Sequence, residues 1–171
     1  MESMDGGRYI QLVDAHITGE EGSDDLFDFD VFVVTVKTEG RSYGVISQQL
    51  RARYPEVQIP VLGWGLSSPP IVLHDGKQVI FTCLWKDEEQ GEGYPNHVVR
   101  SCTASAIRQA TDAGCEELAM PLIGGGKKFS RKAAMGQGLH DAFELIDRRG
   151  QEAPELYIVV GRKRPPRVRG G

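Results

Sequence analysis

Three consecutive glycines, Gly124, Gly125 and Gly126, end an apolar run and are followed at once by Lys127 and Lys128. Without a Cβ the backbone can approach a ligand closely, and amide N–H groups near the start of a following helix can point at an anion. The two lysines add positive charge beside the same loop. A second glycine-bearing junction, Gly40-Arg41-Ser42-Tyr43-Gly44, interrupts another apolar run ahead of Val45 and Ile46. Both junctions are places where a ligand could settle, and the three-glycine loop is the candidate for holding a pyrophosphate.

Two familiar phosphate loops are excluded by spacing. A nucleoside-triphosphate loop needs Gly, four residues, then Gly-Lys-Ser/Thr. Here Pro121 stands at the first glycine, and Gly126-Lys127 is followed by Lys128. The dinucleotide fingerprint fails as well, because the loop comes late in the chain and lacks the spacing of three glycines.

These loops must be positioned by the elements around them. The run Arg8 to Val13 alternates polar and apolar, as a half-buried strand does. Glu20 to Asp30 is acidic and reads as a loop anchored by its phenylalanines. Val31 to Val36 is a continuous β-branched and aromatic run, which predicts a strand buried on both faces. Val45, Ile46, Gln49, Leu50 and Arg53 fit a short helix before Tyr54-Pro55. Pro60 to Pro70 implies irregular backbone. Ile71 to Leu73 and Val79 to Trp85 flank a turn at Asp75-Gly76, either as a hairpin or as two successive strands.

Val98, Val99, Cys102, Ala106, Ile107 and Ala110 recur at helical steps, with Gly114 where a C-cap belongs. Glu117 to Ile123 is read as a strand that runs into the three glycines. Ser130 to Arg149 carries one apolar helical face, with Arg148 and Arg149 near its C-terminal dipole end. Leu156 to Val160 closes as a last strand. Strands alternating with helices predict an α/β sandwich with a parallel or mixed sheet, and no internal repeat is present.

A chain of 171 residues suits one domain. Its apolar fraction of 40% and charged fraction of 26% are ordinary for a soluble protein. No stretch approaches the roughly 20 apolar residues that span a bilayer, and the N-terminus lacks the features of a signal peptide, so a cytoplasmic location is expected. Cys83, Cys102 and Cys115 are odd in number and not closely paired, which points to core thiols rather than disulfides or zinc. Within a net charge of −4, five cations crowd Arg162 to Arg169, giving a basic tail that could touch a polyanion. A nucleic-acid domain ranks last as a reading, because the body is acidic and has no basic, aromatic face. His97 and His140 fall in predicted helices as surface or packing residues. The organisation expected is a flexible N-terminus over 1–7, a ligand-binding domain over 8–161 and a flexible basic tail over 162–171.

The arrangement resembles the macrodomain family, and most of all its terminal ADP-ribose glycohydrolase branch and bacterial hydrolases of the Streptomyces type. The resemblance runs from Tyr9 to about Val160. It is most specific at Leu118 to Gly126, which is similar to the family's strand and phosphate loop, and recurs from Tyr43 to Pro55. It implies a three-layer α/β/α macrodomain-like sandwich with a mixed central sheet, and an ADP-ribose cleft between the two loops. Carried over by position, the ligand-binding residues are His16, Ile17, Lys37, Ser42, Gly44, Val45, Ile46, Pro121, Ile123, Gly124, Gly125, Gly126, Lys127 and Phe129.

The departures are specific. His16 falls where many macrodomains place an adenine-binding aspartate, with Asp14 two residues earlier, and Thr35-Val36-Lys37-Thr38 replaces an asparagine-rich segment. The branch's catalytic lysine falls near His74 and its aspartate at Lys128. His74 as a proton relay and Lys128 as a counter-charge to the diphosphate are thus the candidate catalytic residues.

The function implied is hydrolysis of ADP-ribose from a carboxylate on a mono-ADP-ribosylated protein, with an ADP-ribosylated DNA base as a further substrate. A carboxylate is a good leaving group, so placement of the distal ribose and an oriented water could suffice; such positioning supplies about 7–11 kcal/mol. The alternative is a reader that binds ADP-ribose without chemistry. No cofactor, metal or membrane partner is expected.

Overall fold

The computed structural model describes residues 2–4, 8–15, 26–42, 44–86, 95–123 and 132–161, with backbone alone for 2–4, 8–15 and 160–161. Eight strands and three α-helices occur among them: β1 (Glu2–Met4), β2 (Arg8–Ala15), β3 (Val31–Lys37), β4 (Arg41–Ser42), α1 (Gly44–Arg53), β5 (Ile71–Val72), β6 (Gln78–Trp85), α2 (Asn96–Asp112), β7 (Glu117–Pro121), α3 (Lys132–Arg148) and β8 (Glu155–Gly161).

The strands form one mixed sheet in the order β1-β2-β8-β7-β3-β6-β5, with β4 paired to β3. Its middle is parallel: β2 with β8, β8 with β7, β7 with β3, and β3 with β6. Antiparallel strands β1 and β5 close the two edges. The β5–β6 pair settles the open choice at Asp75-Gly76 as a hairpin. β1 lies inside the stretch expected to be a flexible N-terminus.

Period-two alternation explains the layers. Along β3, Val31 and Val33 enter one apolar cluster, while Phe32, Val34 and Val36 enter the other. The same parity holds for Ile80 and Leu84 against Val79 and Phe81 on β6, and for Leu118 and Met120 against Ala119 on β7. The first cluster is completed by α2 (Val99, Cys102, Ile107) and α3 (Met135, Ala142, Phe143, Ile146). The second is completed by Leu50 of α1, by Tyr54 and by Leu26 and Phe27, which sit in a 3-10 turn over Leu26–Asp28. Two helices cover one face and one helix the other, the expected three-layer α/β/α arrangement.

Helix ends follow the sequence signals. Gly114 takes φ +73° just beyond α2, and the Cys115 N–H donates to the Ala110 carbonyl at 3.0 Å, the wide bond of a glycine-closed helix end. β7 stops at Pro121, two residues short of the predicted strand end, because proline has no N–H to extend the ladder. α2 and α3 approach closely at Gly138, where an added Cβ would lie 2.5 Å from the Arg100 carbonyl oxygen and 2.7 Å from Thr103 Cβ.

Candidate functional site

All five parallel strands end at the same edge of the sheet, and there the neighbours β3 and β7 part company. The chain leaving β3 enters α1 on one face, whereas α3, which follows β7, packs on the opposite face. That divergence is a topological switch point, where a crevice opens at the carboxyl ends of the strands. β3 also overhangs β7. From the level pair Phe32 and Ala119, β7 runs only to Pro121 while β3 continues to Lys37.

The overhanging wall is built tightly. Between Val36 and Lys37 the ladder with β6 slips, so Lys37 lies opposite Trp85. The backbone turns back through Thr38–Gly40, with Glu39 at φ +67°, and β4 returns alongside β3 with Ser42 opposite Val36. A left-handed conformation at a glutamate is uncommon and is held here by its surroundings. A Cβ on Gly40 would stand 2.7 Å from the Ile59 carbonyl oxygen, so the irregular segment after α1 presses on this turn.

α1 then begins at Gly44, whose φ of +87° suits glycine. The buried Ser47 hydroxyl donates to the Gly44 carbonyl at 3.3 Å, fixing the first turn. The helix therefore offers its positive dipole end to the crevice. Val45 is 56% exposed beside it, whereas Ile46 packs on the α1 side of the core.

On the other wall Pro121 is buried and Ile123 is 1% exposed, packed with the α2–α3 core. Both side chains are buried where β7 gives way to the second loop. His16, Ile17, Gly124, Gly125, Gly126, Lys127, Lys128 and Phe129 lie outside the described residues. Of the sequence-derived set, the fold brings Lys37, Ser42, Gly44, Val45 and Ile46 to one wall, and Pro121 and Ile123 to the base of the other.

His74 does not join them. It sits in the β5–β6 turn at the amino end of β6, with its ring 5.0 Å from that of Tyr54, whose hydroxyl donates to Asp75 at 2.7 Å. Because β6 runs parallel to β3, that turn is at the opposite edge of the sheet, roughly 23 Å from the crevice at about 3.3 Å per residue. The proton-relay assignment is therefore withdrawn.

Trp85 is a residue at the crevice that sequence reasoning missed. Its ring carbon Cη2 lies 3.7 Å from where a Gly44 Cβ would be, and its indole also packs on the α2–α3 cluster. It thus spans the end of the sheet beneath the β3–α1 junction. An aromatic side chain closing a strand at that edge was the available signal. Behind it, Cys102 is buried and donates weakly to the Cys83 carbonyl at 3.4 Å. Burial pushes the Cys102 thiol up to about 12, so it supplies no thiolate nucleophile at neutral pH. Among the described residues no group of His, Cys, Asp and Glu converges as a metal site requires.

This topology has known counterparts. The macrodomain of Mycobacterium tuberculosis DarG superposes with a TM-score of 0.61 over 92% of this chain and 100% of its own, at 20% identity. The Trypanosoma brucei macrodomain, solved in complex with ADP-ribose, matches with a TM-score of 0.57 at 14% identity. The match covers 91% of this chain and 64% of that one. The chain has the macrodomain fold.

An alphavirus P23pro-zbd structure also matches, with a TM-score of 0.59 at 12% identity, over 89% of this chain but only 21% of its own length. No protein-family model and no curated protein matches the sequence. The macrodomain fold is thus recognisable in the arrangement of strands and helices at identities too low to carry residue roles across. No helix among the described residues of this macrodomain fold is long and apolar enough to cross a membrane.

Proposed function

We propose that the chain is an ADP-ribosyl hydrolase that holds ADP-ribose in the crevice between the β3–α1 and β7–α3 connections and releases it from a glutamate or aspartate of a modified protein. The observation that carries this reading is the switch point itself, with the N-terminus of α1 and the glycine at φ +87° facing the crevice. The ADP-ribose complex of the Trypanosoma brucei macrodomain supports the choice of ligand.

In this reading Gly124, Gly125 and Gly126 allow the diphosphate close to the backbone, and Lys127 and Lys128 offset its charge. Ser42, Gly44 and Lys37 hold the other side of the ligand. His16 and Ile17 serve the adenine end, and Phe129 borders the distal ribose. Water attacks the anomeric carbon of that ribose as its bond to the carboxylate oxygen breaks. The carboxylate leaves with the bonding electrons, and the water's proton passes to solvent. The leaving group is stable without protonation, so positioning carries most of the catalysis. A modified DNA base, a poorer leaving group, is the further substrate to compare.

The reader alternative draws on the wall residues. Where other macrodomains carry asparagine after the second strand, Thr35 here is buried and the Glu39 carboxylate lies 3.8 Å from Arg41, so water would be ordered by Lys37, Ser42 or Gln48 or not at all.

The test is release of free ADP-ribose, followed by mass spectrometry, from a protein mono-ADP-ribosylated on glutamate, with a no-enzyme control. Release above the control is expected. Binding of ADP-ribose without release would establish the reader instead. Gly125→Trp is expected to abolish ADP-ribose binding measured by calorimetry; unchanged affinity would refute the phosphate-loop assignment.

A further inference from the structure

The cations exposed on α2 share one stripe that begins beside the crevice. His97, Arg100 and Arg108 of α2, with Ala104 between them and Asp141 and Leu145 of α3 opposite, line a depression of about 310 Å3. At its crevice end, the His97 ring meets the edge of Trp64 at a centroid distance of 6.1 Å, and the Lys86 ammonium lies 4.7 Å above the Trp64 ring. Lys86 directly follows Trp85, the residue beneath Gly44. The strip is therefore continuous with the rim of the proposed ligand site.

Its parts are fixed. Trp64 Nε1 donates to the Leu84 carbonyl at 2.9 Å, and the Ser101 hydroxyl donates to the Gly65 carbonyl at 2.8 Å, tying the irregular segment to β6 and α2. Arg100 is held by Asp141 through bonds of 2.6 and 2.9 Å. Neither Lys86 nor Arg108 has an ion pair with a described residue. Among the described residues the strip carries Lys86, Arg100 and Arg108 against Asp141, on which Arg108 also acts electrostatically, a local excess of positive charge on a chain of net charge −4.

We propose that this strip is the docking surface for an acidic peptide, the segment flanking the modified carboxylate of the substrate, an inference that rests on the hydrolase reading for its role. Arg100 and Arg108 are separated by about 12 Å along the helix axis, and an extended peptide covers that distance in about four residues. Lys86 meets Trp64 beside His97, about 17 Å along the helix axis from Arg108, so carboxylates about five extended residues apart reach both, while Ala104 and Leu145 receive an intervening apolar side chain. Single-stranded nucleic acid fits less well. The Trp64 face that a base would stack on is covered by Lys86.

The experiment is fluorescence anisotropy of the full chain with a short fluorescein-labelled peptide alternating glutamate and alanine. Controls are the glutamine counterpart and a labelled oligothymidine. The glutamate peptide is expected to bind preferentially, with affinity falling as salt is raised. Arg108→Glu and, separately, Lys86→Gln are each expected to weaken it, the charge reversal by about fivefold, and Arg108→Glu is expected to leave ADP-ribose affinity unchanged by calorimetry. Equal binding of the glutamine peptide, indifference to both substitutions, or tighter binding of oligothymidine would overturn the proposal. Peptide binding by a chain that fails to bind ADP-ribose would leave the surface standing and remove the hydrolase reading; the reverse result removes the surface alone.

Discussion

A Cβ on Gly44 would stand 3.7 Å from Cη2 of Trp85, an ordinary van der Waals separation, so space does not demand glycine there. The backbone does, through its φ of +87°. Gly44→Ala is expected to cost about 1–2 kcal/mol of stability from the left-handed conformation alone, read as a lower urea midpoint. If the residue instead relaxes to negative φ, the first turn of α1 rotates, and ADP-ribose affinity falls while stability is kept. A variant matching wild type in both measurements would remove this junction from the site.

Gly138 makes the opposite case, since its backbone is helical and the constraint is space. Gly138→Ala drives a methyl into the Arg100 carbonyl and Thr103. Separating α2 from α3 is expected to cost about 1–3 kcal/mol, visible as a lowered thermal midpoint. Because α3 leads away from the second loop and α1 from the first, the effect on ADP-ribose binding should be smaller than that of Gly44→Ala.

The hydrogen bond from Tyr54 is the main cause holding the Asp75 carboxyl below its ordinary range, with the Lys77 N–H and the nearby His74 adding smaller effects in the same direction. A carboxyl whose folded-state pKa is depressed contributes stability above its unfolded-state value, and loses it as pH falls through the folded-state value. Tyr54→Phe should therefore lower the denaturation midpoint near neutral pH, with the difference from wild type shrinking once pH drops below the ordinary aspartate range. A difference that persists unchanged in acid would mean that the phenol acts through packing alone.

Legibility in the sequence followed the physics of burial. Val31 to Val36 declared a doubly buried strand, and the α2 and α3 faces were readable because three- and four-residue spacing survives without knowledge of neighbours. His74 was misplaced because the direction of β6 relative to β3 is a tertiary property; reading a turn locally does not reveal which edge of the sheet it occupies. Trp85 was missed for a related reason. Its position opposite Lys37 depends on a one-residue slip in the ladder, and period-two alternation by itself sends its side chain elsewhere. Trp64 lies in an irregular segment whose order comes from contacts with β6 and α2, and no periodicity marks it. The glycine loop, the feature most conspicuous to the eye, lies outside the described residues.

The antiparallel margins of the sheet have a consequence for behaviour at high concentration. β1 spans three residues and β5 two, and between Gly65 and Ser68 the chain adds only broken pairing to β6, with the Ser68 hydroxyl accepting from the Phe81 N–H in place of a carbonyl. At the β5 margin a second molecule seeking to extend the ladder therefore finds short, interrupted pairing instead of a long run of free backbone groups. The central parallel strands β8, β7 and β3 have neighbours on both sides, and fibre growth through them requires a margin to open first.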